Sequence, residues 1–117
     1  MNPQSIIDLP TFECLKEAMG FDFIDELLQA YFDETPKLLT ALEEAYDRKD
    51  CESFARAAHS IKSTSNSFGA LQFGLMAKEL EMIGKAGNLD DTLSKVEALK
   101  TNYGTVRKTL EDLSHGE

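Results

Sequence analysis

Apolar residues recur at helical spacing along nearly the whole chain, in blocks separated by short polar or glycine-containing breaks, and no run alternates as a strand would. Phe12, Leu15 and Met19 form the first, short stripe. Asp8 is placed to cap it, Pro10 falls in its first turn where a missing N–H is harmless, and Gly20 stops it, so the pattern predicts a helix over Leu9–Met19. The second stripe is Ile24, Leu27, Leu28, Tyr31, Leu38, Leu39, Leu42, Ala45 and Tyr46, reaching to about Lys49. Asp22 can cap that helix, with Asp25 and Glu26 in the first turn where the macrodipole favours anions. Pro36 lies inside it, removing a backbone bond and crowding the preceding turn. Because the stripe keeps its phase across Pro36, the spacing predicts one kinked helix rather than two short ones.

Lys49-Asp50 makes a short connection, with Asp50 placed to cap a third helix. There Phe54, Ala58, Ile61, Ser65 and Phe68 follow the rhythm of a buried face. The run Ser63-Thr64-Ser65-Asn66-Ser67 is poor helix material and could be read as a loop. Ser65 and Phe68 staying in phase with Ile61 favours a helix to about Phe68, capped by Gly69. A fourth helix, about Leu71 to Lys85, has an inner face of Phe73, Met76, Ala77, Leu80 and Ile83. Leu71, Leu75 and Met82 lie on another side, with Lys78. Either neighbouring elements bury them or they form an apolar patch that docks a partner. Gly84 to Asn88 then reads as a flexible turn, with Asn88 capping the last helix and Asp91 in a box-like start. Val96, Tyr103 and Leu110 recur every seven residues, as do Leu99, Val106 and Leu113, which is a bundle seam. Ser114 to Glu117 reads as a frayed tail, and His115 as inert. The expectation is an all-α chain: an antiparallel four-helix bundle with a short additional N-terminal helix, in one domain over 1–117.

Composition narrows the function. The chain has 117 residues, 42% hydrophobic and 28% charged, with a formal net charge of −9, which argues against nucleic acid and anionic membrane as partners. Cys14 and Cys51 are far apart and in no ligand spacing, so each is expected to be a reduced, partly buried thiol. The N-terminus has no basic-then-apolar leader and no later run could span a bilayer, which places the protein in the cytoplasm. Starting at Met and ending soon after the last helix, it reads as a free-standing module. No P-loop, paired-histidine metal motif or C-x-x-C occurs, so neither metal nor cofactor is expected, nor phosphoryl transfer unaided.

One residue stands out against that background. At about 100° per residue, His59 points roughly 160° away from Ile61, outward from the core. Arg56, Lys62 and Ser63 lie within about 60° of it and Asn66 nearer still in direction. Glu52 is the one acid in line with it on that helix, two turns away. A solitary histidine on a helix surface is ordinarily just solvated. Two cations, a small hydroxyl residue and an amide around it are, however, what an incoming dianionic phosphoryl group requires.

Ala57-Ala58-His59-Ser60-Ile61-Lys62-Ser63, followed by Phe68-Gly69-Ala70 and Leu80-Glu81, resembles the signature of histidine-containing phosphotransfer (HPt) domains. That signature is Ala-His, any residue, an aliphatic, Lys, a small residue, then Gly-Ala and Leu-Glu. The chain has Ser63 where Gly commonly follows the Lys; serine is still small enough for a partner to come close. The resemblance implies a helical bundle whose His59 accepts a phosphoryl group on Nε2, assisted by Lys62; Arg56 on the same face is a second candidate cation, and the few heptads of the last helix favour a monomer. Its implied partners are response-regulator receiver domains and a hybrid histidine kinase, the receiver supplying Mg²⁺ and an aspartyl phosphate. Ser63 and Asn66 are supporting positions, and Leu71 and Leu75 a docking surface. The competing readings are a helical docking module that never carries phosphate and a purely structural bundle.

Overall fold

The computed structural model describes residues 6–115, and from Leu9 onward the described residues form five helices: α1 (Leu9–Met19), α2 (Phe21–Arg48), α3 (Cys51–Ser67), α4 (Leu71–Ala86) and α5 (Leu93–His115). No strand occurs among the described residues. Asp8 caps α1 by accepting from the Thr11 N–H at 3.2 Å and from its hydroxyl. Gly20, at φ +89°, both ends α1 and opens α2. That turn starts α2 at Phe21, so Asp22 lies within the first turn and is not the cap; no side chain caps this helix. Pro36 sits inside α2 without splitting it. Asp50 caps α3 as expected, accepting from the Ser53 N–H at 3.1 Å and its hydroxyl at 2.8 Å, and those bonds hold its carboxyl below the usual carboxylate range.

Three boundaries differ in the C-terminal half. Helix α4 runs through Gly84 to Ala86 and is closed by Gly87 at φ +86°, so Gly84 is a helical residue and not part of the turn. Asn88 caps nothing: its side-chain oxygen accepts from the Asp90 N–H at 2.9 Å, a local turn that competes with helix initiation, and α5 begins at Leu93. Asp91, at φ +60°, belongs to that turn as well. At the other end α5 stays helical through Ser114 to His115, so fraying does not begin at Ser114; residues 116–117 and the side chain of His115 lie outside the described residues.

Helices α2 to α5 form the bundle, with α1 laid against α2 and α3. Ile24, Leu28, Leu39 and Leu42 from α2 meet Phe54, Ala58 and Ile61 from α3, Phe73, Ala77 and Leu80 from α4, and Val96, Leu99, Val106 and Leu110 from α5. Each large side chain removed from water there stabilises the fold by about 1.5–3 kcal/mol. Phe32 and Thr35 are also buried, widening the α2 face beyond its predicted stripe. Ser65 is fully buried, and its hydroxyl shares a 2.7 Å hydrogen bond with that of Tyr31, which accounts for a serine at a core position. Burial pushes the Tyr31 phenol well above its ordinary range. Met19 and Cys14, expected in or near the core, are exposed, because α1 buries Phe12 and turns these two away; Cys51 is half-buried. Leu71, Leu75 and Met82 are exposed too, which resolves the open reading of that stripe. No helix among the described residues is long and apolar enough to cross a membrane.

Candidate functional site

The site is built by α3 and α4, which run antiparallel across the short turn at 68–70. Three facing pairs give their register: Ala55 with Gly84, His59 with Glu81, and Asn66 with Gly74. Two glycines line this close approach. A methyl group on Gly84 would come within 3.0 Å of the Ala55 Cβ, the Ala55 nitrogen and the Cys51 carbonyl, and one on Gly74 would overlap the Asn66 amide. These contacts lie one turn from His59 on one side and two turns on the other, and between them Glu81 meets the imidazole.

Glu81 is buried, with 6% of its side chain exposed, and accepts from three donors. His59 Nδ1 lies 3.0 Å from Oε2, Lys62 Nζ 2.8 Å from Oε1, and Lys85 Nζ 3.1 Å from Oε2. The hydrogen bond from Lys62, with those from Lys85 and His59, holds the carboxyl down to about 2 although burial opposes it. The carboxylate is thus ionised at neutral pH and can only accept. Nδ1 must donate to it. In the neutral ring the proton therefore sits on Nδ1, leaving the lone pair on Nε2. The imidazole itself is 57% exposed, so an approaching group can reach it.

The sequence-predicted residues are brought together only in part. His59 and Lys62 share the Glu81 carboxylate. Arg56 lies at the rim of the same groove, in an ion pair with Glu52 at 3.8 Å. Ser63 is exposed beside His59 and makes the surface low. Asn66 leans over Gly74 instead of toward the imidazole. Leu71 and Leu75 lie on α4, in directions roughly 80–120° around that helix from Glu81. The groove between α3 and α4, of about 660 Å³, is lined by Cys51, Ala55, Arg56, His59, Gly84 and Lys85. Among the described residues no group of three or more His, Cys, Asp or Glu could hold a metal ion.

Glu81 and Lys85 are the residues that reading helix by helix passes over. The signal for Glu81 was present: it is an acid on the inner side of α4, next to Leu80 and one turn from Ala77 and Gly84. A charged residue in that phase calls for partners.

Comparison with known proteins is consistent with this geometry. A family model described as Hpt domain matches residues 26–114. Histidine-containing phosphotransfer protein 4 of Arabidopsis thaliana is 27% identical over 101 residues, covering 85% of this chain and 80% of that protein. Among solved structures, histidine-containing phosphotransfer protein B from Pseudomonas aeruginosa PAO1 has the same fold, with a TM-score of 0.89, 24% identity and 96% of each chain covered.

Proposed function

The chain belongs to the Hpt domain family, histidine phosphocarriers of phosphorelay signalling, and from that premise we propose that His59 is the residue that carries the phosphoryl group. The observation that carries this reading is the Nδ1–Glu81 hydrogen bond, which leaves Nε2 as the nucleophilic nitrogen on an exposed ring. The donor is an aspartyl phosphate on a receiver domain, free-standing or part of a hybrid kinase. The Nε2 lone pair forms the N–P bond as the acyl phosphate P–O bond breaks, its electron pair leaving on the aspartate oxygen. Nδ1 keeps its proton. The ring becomes a phosphoimidazolium whose positive charge faces the Glu81 carboxylate. Lys62, hydrogen-bonded to Glu81 beside the imidazole, stabilises the phosphoryl oxygens, and Arg56 adds a second cation at the rim. The receiver supplies the metal, so this chain contributes an acceptor atom held in line rather than a complete catalytic site.

Ser63, beside the imidazole, and the Asn66–Gly74 contact support the reading by keeping the surface low and α3 close to α4. Exposed Leu71 and Leu75 offer the receiver an apolar contact, in a monomeric, cytoplasmic carrier. The test is transfer of labelled phosphate from a panel of phosphorylated receivers to the wild type and to His59→Gln. Acid-labile, alkali-stable label on the wild type alone is the expected result. No label from any receiver, with binding still detected, would favour a docking module instead.

A further inference from the structure

Glu81 has one more cation than neutralisation requires. Lys62 alone would balance its charge, yet Lys85, one turn further along α4, bonds Oε2 at 3.1 Å, the same oxygen that accepts the hydrogen bond from His59 Nδ1. The two lysines differ in setting. Lys62 is mostly covered, its side chain 23% exposed, and projects from α3 three residues after His59; Lys85 is 68% exposed and projects from α4 at the groove mouth.

That asymmetry bears on the transfer step. A phosphoryl group on Nε2 competes with Oε1 for the Lys62 ammonium. A buried carboxylate abandoned by its cation would pull the ammonium back, or take up a proton and cease to hold Nδ1–H. We propose that Lys85 is a positioning residue for phosphotransfer: by remaining on Oε2 it keeps Glu81 charge-paired and under Nδ1 while Lys62 turns to the incoming phosphoryl group. Lys85 then acts through Glu81, without touching phosphate. The intrahelical spacing fits that task, since residues four apart on one helix stay within reach whatever α3 does. This proposal rests on His59 being the acceptor.

The test is a double-mutant cycle on receiver-to-carrier transfer. Lys85→Ala is expected to slow transfer about tenfold, and Lys85→Arg to recover it to within about twofold. In a Glu81→Gln background, where no carboxylate charge holds Lys62, the same Lys85→Ala change is expected to cost less than about twofold. ¹⁵N chemical shifts of His59 give a second readout: Nδ1–H should persist in each single lysine variant. Equal slowing in both backgrounds would mean that Lys85 contacts phosphate or merely supports the fold, and overturns the proposal. An unaffected rate in Lys85→Ala overturns it too. Both results leave His59 standing if the wild type takes label and His59→Gln does not. Absence of label on the wild type would remove His59 as acceptor, and this role of Lys85 with it.

Discussion

The Nδ1 atom of His59 lies 3.0 Å from Oε2 of Glu81, 22 residues away on the neighbouring helix. That contact fixes which nitrogen holds the proton, and the fold provides it through two glycines where α3 and α4 approach. The chemistry of the exposed imidazole is thus set by a buried residue.

Lys62 is expected to matter for rate and little for stability. Lys62→Ala should slow transfer about 30-fold, the loss of one donor to the developing charge. Its melting transition should stay within about 1 kcal/mol of wild type, because Lys85 and His59 remain on Glu81. Single-turnover transfer and thermal unfolding measure the two; an unchanged rate would exclude Lys62 from the reaction.

Acid should unfold the wild type more readily than Glu81→Gln, relative to each at neutral pH. The folded carboxyl titrates at about 2, against 4.5 for the ordinary group. Between those values the unfolded chain binds the extra proton, so stability present above about pH 4.5 is lost as pH falls toward 2. The difference should amount to about 2 kcal/mol, reduced from the full shift because solvent screens the Lys85 side of the cluster. Urea denaturation at pH 7 and pH 3 tests this; parallel losses in both proteins would contradict it.

Gly69→Ala should destabilise the fold by about 2–4 kcal/mol. Gly69 has φ +88°, and a Cβ there would come within 2.7 Å of the Asp8 carbonyl oxygen. Its own carbonyl accepts from the Asp8 N–H at 2.7 Å, tying the α3–α4 turn to the start of α1. Chemical denaturation would show the loss; a variant as stable as wild type would mean that this turn can rearrange freely.

The inner and outer faces of α3 were legible because one helix's periodicity determines both. Phe54, Ala58, Ile61, Ser65 and Phe68 are buried and His59 points out, as their spacing requires. What lies across a helix interface follows from the register of two elements, which no single periodicity contains. Hence Glu52, in line with His59 on α3, drew notice, while Glu81 carried no assigned role. Caps were legible where the side chain competes for nothing else, as at Asp8 and Asp50. They were misread where a glycine turn starts the helix early, before Asp22, or where a local side-chain turn delays it, after Asn88. Cys14 and Met19 show the same limit. A short helix can bury little beyond one anchor, here Phe12, and which residues flank that anchor in contact depends on how the helix lies on the bundle.

The proton on Nδ1 is a spectator. On the proposed chemistry it is in place before the phosphoryl group arrives and still in place when it leaves, so neither direction requires a base to remove it or an acid to restore it. Loading and unloading then pass through the same arrangement of His59, Lys62 and Glu81, and the chain imposes no direction of its own. Net flow is decided by the relative phosphorylation of whatever stands on either side, and the carrier equilibrates them.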